Sequence, residues 1–442
     1  MIKLWLLTTE FPPFVGGGIG TYCDEFASQA AGAGLELTVF VGDRNFANSS
    51  PEVSCREATT VVRFNPLKVP HKPGLLADAE MPWAFYAMVM ERINGGDRPD
   101  IIEAQDYLAI AYFLLDDKER RSSILDRIPV AVTLHGPAYA GWVIKRENAF
   151  DLPRFWLAEM ERFCIRRADV VYAPSQFVAR RVAQPKQIAA AEIVRNPFAV
   201  PPAEACGQGE ETGVFYFGRL EHKKGIFFLL EAWTRLGPAW PDVPLTIIGG
   251  YSESIMEEIR QRFPALLSRS SVRFTGLLKR EDAQRRLRTA QVVVIPSLFD
   301  AYAYAAVEAL ALKRLVVLSS DVGASEILEN GVSAFIYENS DPDGLENALR
   351  RALALCPAQR AEMGERARQA VIECSGPVAV GRKAVVAREA IARAGTGRRP
   401  RLRLLDQLYC RSIRNRLLRR CIGGLIIARI GVIGKPRWLT LS

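Results

Sequence analysis

Short apolar runs alternate along the chain with longer segments of helical spacing, and this alternation predicts the fold. Runs with the length of buried strands occur in both halves of the chain, and most end in small, polar or turn residues. In the first half they are KLWLLTT (3–9), ELTVFVG (36–42), DIIEAQ (100–105), VAVTLHG (130–136) and DVVYAPS (169–175). In the second half they are VFYFGR (214–219), LTIIGG (245–250), VRFTG (272–276), VVVIPS (292–297), LVVLSS (315–320) and AFIYE (334–338). Helical stretches between them, such as 225–236, predict βαβ architecture twice over.

A proline- and glycine-bearing stretch separates the two series of strands. It is RNPFAVPPAEACGQGEETG, residues 195–213, and its composition is typical of a linker. The chain of 442 residues is also longer than one hydrophobic core usually fills. We therefore predict an α/β protein with two doubly wound parallel sheets, and a ligand cleft beyond the carboxyl ends of their strands.

Composition narrows the class of protein. Hydrophobic residues make up 49% of the chain and charged residues 24%, which indicates a folded protein. The eight cysteines include no C-x-x-C pair, which argues against a zinc ribbon or a disulfide framework and favours a reducing cytoplasm. No apolar run reaches the roughly 18 to 20 residues of a membrane-spanning helix, and the N-terminus is too weakly cationic for a signal peptide.

The net charge of +9 is concentrated in the last tenth of the chain. Residues 398–442 hold twelve Lys or Arg and one acid, Asp406, so this tail carries +11 and the rest of the chain −2. Leu402, Leu405, Tyr409 and Ile413 fall near one helical face of the tail, with arginines on the others. A basic amphipathic helix is suited to an anionic membrane surface. A partner protein and nonspecific nucleic-acid binding are the alternatives; we expect no specific nucleic acid.

A glycine-rich loop follows the first strand. In TEFPPFVGGGIGTY (9–22), Gly16, Gly17 and Gly18 precede an amphipathic helix. Such a loop lets backbone N–H groups approach a ligand, and the helix that follows presents its positive end to anions. The spacing is not that of the dinucleotide-binding G-x-G-x-x-G motif. A flexible turn without a ligand is the alternative.

Two cations follow the first strand of the second series. In GRLEHKKG (218–225), Arg219 lies at the end of the strand and Lys224 just before a helix. Both can direct donors at a phosphate in the cleft. A solvated charged loop is the alternative.

His135, one of three histidines, ends the strand VAVTLHG. A histidine is often only a structural hydrogen-bonding residue. Its place at a strand end beside the predicted cleft favours a functional role.

The stretch PSLFDAYAYAAVEAL (296–310) contains two acids. Asp300 is predicted in the loop after a strand, and Glu308 one to two turns inside the following helix. Positions i and i+8 lie about 12 Å apart along a helix axis, so a joint proton-transfer pair is not expected. The two acids can instead hold different parts of one ligand whose anionic middle lies at the helix N-terminus. A plain N-cap at Asp300 is the alternative.

The stretch DPD (341–343) has the form of a metal-binding D-x-D motif. It also opens a predicted helix, with proline directly after an aspartate. Helix capping explains this pattern, and we predict no metal site.

In this order and spacing, the motifs resemble those of the retaining GT-B glycosyltransferases of family 4, over roughly residues 1–395. The motifs are EFPPFVGGGIGTY, LHG, APSQF, VRNPF, FGRLEHKKG, LTIIGG, VRFTG, PSLFDAYAYAAVEALAL and GASEILENGVSAFIYENSDPDGLENAL. The resemblance implies transfer of a sugar from a nucleotide-diphosphate sugar to the hydroxyl of a carbohydrate or lipid-linked acceptor. It implies retention of configuration and neither a metal nor another cofactor.

The resemblance also implies roles for individual residues. Arg219 and Lys224 would neutralise the diphosphate, Glu308 would hold the ribose hydroxyls, and Asp300 would contact the transferred sugar. His135 would lie near the reaction centre. The remaining candidates for donor binding are Gly16, Gly17, Gly18 and Tyr304.

The sequence departs from the family pattern beside the first acid. Asp300 replaces the usual glutamate, and Ala301 and Ala303 replace glycines. A methyl group at each place can crowd the donor sugar. A degenerate glycosyltransferase that serves as a membrane-associated scaffold is therefore the alternative function.

The resemblance also divides the chain. We expect an N-terminal Rossmann-like domain on the acceptor side at 1–198 and a C-terminal, nucleotide-sugar-binding one at 199–376. A helix at 377–397 would cross back to the first domain, followed by the basic tail at 398–442. The predicted location is the cytoplasm, with peripheral association to the inner membrane, and the predicted pathway is polysaccharide, lipopolysaccharide or glycolipid synthesis.

Overall fold

The apolar runs fold as the strands of two separate sheets in the computed structural model. It describes residues 1–71, 74–120, 124–144, 152–182, 191–206, 213–236, 239–341 and 343–395. The basic tail at 398–442, with its predicted membrane-binding helix, lies outside the described residues.

The first sheet has eight strands in the order β3-β4-β2-β1-β5-β6-β7-β8, and all neighbours are parallel except β3 and β4. Its strands are β1 Ile2–Thr8, β2 Leu35–Gly42, β3 Glu52–Arg56, β4 Thr59–Phe64, β5 Ile101–Gln105, β6 Val130–Thr133, β7 Val170–Ala173 and β8 Glu192–Ile193. Its helices are α1 Gly18–Ala30, α2 Ala77–Asn94, α3 Tyr112–Glu119, α4 Ala138–Ile144, α5 Leu152–Arg167 and α6 Gln176–Val182.

The second sheet has six parallel strands in the order β11-β10-β9-β12-β13-β14. They are β9 Val214–Phe217, β10 Leu245–Ile248, β11 Val272–Gly276, β12 Val292–Ile295, β13 Leu315–Ser319 and β14 Phe335–Tyr337. The helices are α7 Ile226–Leu236, α8 Glu253–Arg262, α9 Pro264–Leu267, α10 Arg280–Leu287, α11 Tyr304–Ala311, α12 Gly344–Ala354, α13 Pro357–Cys374 and α14 Pro377–Gly395.

Each sheet is covered on both faces, which confirms the predicted doubly wound architecture. Along β1, Trp5 and Leu7 pack toward one face of the sheet, while Leu4 and Leu6 pack toward the other, as the period of two in a strand requires. Strands buried on both faces are expected to be continuous apolar runs, which is the pattern in the sequence.

Three strands of the first sheet were missed from the sequence. All five residues of β3 are exposed at the edge of the sheet, so this strand carries no apolar run. β4 pairs antiparallel with β3, and its sequence TTVVRF mixes polar and apolar positions. β8 has two residues, too few for any periodicity to be visible.

The last described helix returns to the first sheet. Although α14 follows the second sheet in the chain, its Val380, Ala384 and Ala387 are buried in the same cluster as Leu4 and Leu6 of β1. The chain therefore crosses between the two sheets a second time after 195–213.

Candidate active site

The loop after β9 carries the predicted cations and lies against the end of β12. The Tyr216 hydroxyl donates to the Arg219 carbonyl oxygen over 2.8 Å. Gly225, at φ 72°, is so close to β12 that a β-carbon there would come within 1.7 Å of the Pro296 carbonyl oxygen. Only glycine fits this position, and its absence of a side chain lets the two loops meet.

The structure brings Lys224 and Asp300 together. The Lys224 Nζ lies 2.5 Å from the Asp300 Oδ2, and both side chains are largely shielded from solvent. Burial raises the pKa of the Asp300 carboxyl, but Lys224 and two backbone N–H groups together lower it by more than burial raises it. The pKa of Asp300 is therefore below its ordinary value. Asp300 is therefore an ionised partner of Lys224.

The other oxygen of Asp300 shapes the start of α11. The Asp300 Oδ1 accepts from the backbone N–H of Tyr302 at 3.4 Å and of Ala303 at 2.9 Å. The helix N-cap is Ala303, three residues further along. The carboxylate thus orders the turn before the helix while it also pairs with Lys224.

The alanines that replace the expected glycines occupy closely packed positions. Ala303 adopts φ 59° and ψ 83°, a left-handed conformation that costs a residue other than glycine roughly 1–2 kcal/mol. The Ala301 carbonyl oxygen accepts a hydrogen bond from Ser175 Oγ at 2.9 Å. Both alanines are buried, so their methyl groups have little contact with the open cleft.

Arg219 pairs with a different carboxylate, Glu221. Its side chain is 70% exposed and lies 3.1 Å from Glu221 in a surface salt bridge. Such pairs are typically worth less than about 1 kcal/mol, so the guanidinium can exchange Glu221 for a ligand. Its predicted contact with a diphosphate requires this movement.

Glu308 and Tyr304 border the segment that joins the two sheets. Glu308 is buried beside a cavity of about 90 Å³ that Phe198 and Arg288 also line. The Tyr304 hydroxyl donates to the Pro197 carbonyl oxygen over 3.0 Å, which ties α11 to the connecting segment. The Tyr304 hydroxyl is therefore already used within the protein.

A carboxylate already occupies the glycine-rich loop. Gly16, Gly17 and Gly18 are exposed at the start of α1, and the Glu10 Oε2 accepts from the Gly20 N–H at 3.0 Å. A β-carbon on Gly17 would come within 2.2 Å of the same Glu10 oxygen. Because the Glu10 carboxylate lies at the positive end of α1, a diphosphate placed there would meet a like charge.

His135 lies at the end of β6, where the sequence placed it. Its backbone N–H donates to Asp106 Oδ1 at 3.0 Å, and its ring packs on the edge of Tyr22, with 4.7 Å between ring centroids. Burial, with the charge of Lys383, lowers the pKa of the imidazole to about 3. His135 is therefore neutral near pH 7, and its Nε2 is buried with no hydrogen-bond partner among the described residues.

A buried ion pair beneath His135 was not predicted. Lys383 of α14 places its Nζ 2.6 Å from Glu103 Oε1, and that oxygen also accepts from the hydroxyls of Tyr22 at 2.6 Å and Thr133 at 2.7 Å. Lys383 and Glu103 are 3% and 1% exposed. The helix that crosses back, α14, thus supplies a buried cation to the first domain.

Glu326, which follows β13, contacts the start of α6 and the segment that joins the two sheets. The Glu326 carboxylate accepts from the backbone N–H groups of Gln176 at 3.0 Å and Phe177 at 2.6 Å, and lies 2.8 Å from Arg195. Next to this contact is a cavity of about 740 Å³. The motifs APSQF and GASEIL, far apart in the chain, therefore meet here.

Within the part of the chain that the structure describes, no three His, Cys, Asp or Glu residues are grouped in a way that could hold a metal ion. The DPD stretch contributes Asp343 as the N-cap of α12, while its proline lies outside the described residues. None of the helices in the described ranges is both long and apolar enough to cross a bilayer.

Comparison with known proteins agrees with this arrangement. The family model for glycosyl transferase 4-like domains matches residues 17–199, and that for glycosyl transferases group 1 matches residues 207–370. A glycogen synthase of Mycobacterium tuberculosis is 26% identical over 376 residues, which cover 80% of this chain and 86% of that protein.

Two solved structures have the same fold. Sucrose-phosphate synthase from Thermosynechococcus elongatus superposes with a TM-score of 0.70 at 20% identity, covering 89% of this chain and 100% of that one. Anabaena HepE, solved in complex with UDP and glucose, superposes with a TM-score of 0.63 at 18% identity, covering 88% and 100%. Since the two family models match the two sheets in turn, the chain belongs to the family 4 glycosyltransferases of the GT-B fold, which use nucleotide-sugar donors.

Proposed function

We propose that this chain moves a sugar from a nucleotide-diphosphate sugar to an acceptor hydroxyl with retention of configuration, in the synthesis of a polysaccharide, lipopolysaccharide or glycolipid. The observation that carries this proposal is the Lys224–Asp300 pair at the start of α11, with Arg219 exposed on the same loop. The glycogen synthase relative supports the polysaccharide pathway.

Stabilisation of the leaving group is the first chemical requirement. As the bond to the sugar breaks, negative charge develops on the diphosphate. That charge can be stabilised by Lys224, by Arg219 once it leaves Glu221, and by the positive N-terminal end of α11. We therefore infer that side-chain cations and the helix end serve here, without a metal ion.

Positive charge on the transferred sugar is the second requirement. A transition state in which the leaving group departs early places positive charge at the anomeric carbon. The neutral His135 imidazole does not repel this charge, and the Asp300 carboxylate is ionised and can contact the sugar hydroxyls. Because Lys224 already holds Asp300, the same ion pair can bridge the sugar and the diphosphate.

Replacement of Glu308 tests the donor site. We expect Glu308→Ala to weaken binding of nucleotide sugar about tenfold or more, because a carboxylate that accepts two ribose hydroxyls is lost. Titration calorimetry with UDP- and ADP-sugars measures the change. Glu253→Ala, which removes an exposed carboxylate of α8, is the matched control. Equal affinity of Glu308→Ala and wild type would remove Glu308 from the donor site.

Membrane association through the tail is a separate proposal. Residues 398–442 carry a charge of +11, and each cation near an anionic surface contributes on the order of 1 kcal/mol. We expect the full chain, but not a chain ending at residue 397, to sediment with vesicles containing anionic lipid, and added salt to release it. Sedimentation of the shortened chain to the same extent would contradict the proposal.

A further inference from the structure

Glu161 is a buried carboxylate that no candidate role so far explains. It lies on the inner face of α5, with no exposed surface. Among the described residues, no basic side chain lies within hydrogen-bonding distance of it. Burying a carboxylate without a cation is expensive, and an apolar residue of similar size would serve the packing of α5 better. Stability alone therefore does not explain why a carboxylate occupies this position.

The partners of Glu161 are backbone N–H groups from two different loops. Its Oε1 accepts from Leu108 at 3.0 Å, in the segment after β5, and from Ala138 at 2.9 Å, at the start of α4 after β6. Its Oε2 accepts from Tyr139 at 3.3 Å. One side chain thus holds together two segments that both begin at the carboxyl edge of the first sheet.

The first of these loops is conformationally strained. Leu108 and Ala109 have φ 62° and 52°, left-handed values that cost residues other than glycine energy. The Leu108 N–H is held in this conformation by Glu161, and Ala109 is fully buried. Strain of this kind persists where the surroundings enforce it, and it is concentrated at functional sites.

Each segment carries a candidate residue just beyond the carboxyl edge of the first sheet. The first carries Tyr107, which is 36% exposed. Burial raises the pKa of Tyr107, the charges of Glu161 and Glu10 raise it further, and the charge of Arg219 in the second domain lowers it, so charged groups of both domains lie near this side chain. The second loop carries His135, whose N–H is held by Asp106, the residue before Tyr107.

We propose that Glu161 is a positioning residue for the acceptor side of the cleft: it locks the loops at 106–110 and 134–139 together, and so places Tyr107 and His135 against the acceptor. This rests on the proposed function, in which the acceptor binds to the first domain. Glu161 itself touches neither substrate.

Ionisation of Glu161 is coupled to this role. Burial and the charge of Asp106 raise the pKa of Glu161 to about 8, although the hydrogen bonds from the backbone N–H groups oppose this rise. Burial also raises the pKa of Asp106, to about 7. A proton on Oε2 would face the Tyr139 N–H and break that hydrogen bond. The lock is therefore complete only when the carboxylate is ionised. Three other titratable groups interact electrostatically with Glu161: Tyr107 after β5, Tyr139 on α4 and Cys164 on α5. The charges of Arg162 and Arg166 on α5 act on Tyr139.

Glu161→Gln tests the proposal, because it keeps the shape of the side chain and removes its charge. We expect kcat/KM for the acceptor to fall about 10- to 100-fold, and KM for the donor to change less than about twofold, since small displacements of aligned groups cost rates of this size. We also expect the wild-type rise of acceptor kcat/KM between about pH 7 and 9 to lose one ionisation in the variant. Glu159→Gln, two residues away and 37% exposed, is the matched control and should behave as wild type.

A merely structural Glu161 gives a different result. It would lower the amount of folded protein while leaving the acceptor and donor constants and the pH profile of the folded fraction unchanged, and this outcome would overturn the proposal. If Glu161→Gln does not fold, Glu161→Asp retains the charge but withdraws it by one methylene, and the same selective loss for the acceptor is expected.

Hydrogen exchange separates this proposal from the proposed function. The amides of Leu108, Ala138 and Tyr139 should exchange at least about tenfold faster in Glu161→Gln than in Glu159→Gln, whether or not any sugar is transferred. Unchanged protection would overturn the positioning role. If exchange is faster in Glu161→Gln but the wild-type protein transfers no sugar, the proposed function alone would be overturned.

Discussion

Lys383→Met is expected to lower the free energy of unfolding by about 3–5 kcal/mol, because it leaves the buried Glu103 carboxylate without its cation. Burial lowers the pKa of Lys383, although the charge of Glu103 raises it. The ammonium is therefore costly to bury, and Glu103 offsets part of that cost. Urea denaturation, followed by fluorescence, measures the change.

Two further variants separate the ion pair from packing. Lys383→Met with Glu103→Gln should recover much of the loss, because the glutamine oxygen still accepts from Tyr22 and Thr133 without an unpaired charge. Lys313→Met, which breaks a surface pair with Glu365, should cost no more than about 1 kcal/mol. A Lys383→Met protein as stable as wild type would show that α14 is not anchored through this contact.

Lys224→Met is expected to lower kcat about 10²- to 10³-fold, the cost of losing one fixed donor to charge that develops in the transition state. Steady-state rates of nucleoside diphosphate release, at saturating donor, measure it. The neighbouring Lys223→Met removes a cation that lies 3.6 Å from Glu221 and is the matched control, with a change of less than about threefold. A Lys224→Met enzyme with the kcat of Lys223→Met would remove Lys224 from the reaction.

Much of this site follows from one rule, that ligands bind at the carboxyl ends of parallel strands. The strands before His135, Arg219 and Asp300 are apolar runs, and each of these residues lies just beyond such a run. Asp106 obeys the same rule, since it directly follows the strand Ile101–Gln105.

Other parts of the site have no local signal in the sequence. Glu161 and Lys383 are charged residues inside helices, where charge usually faces solvent, and only tertiary packing turns them inward. Glu10 precedes the glycine-rich loop in the sequence, but its contact with the start of α1 depends on how the chain turns after β1, which no sequence pattern shows. The roles assigned to all the candidate site residues stay predictions; these residues are Gly16, Gly17, Gly18, His135, Arg219, Lys224, Asp300, Tyr304 and Glu308.

The most direct test is to incubate the full chain with a panel of nucleotide sugars and candidate acceptors and to follow the anomeric protons of donor and product by NMR. We predict that one donor is consumed, that the new glycosidic bond keeps the configuration of the donor, and that a chelator does not stop the reaction. Binding of a nucleotide sugar without consumption of any donor, or a product of inverted configuration, would contradict the assignment of this chain as a retaining glycosyltransferase.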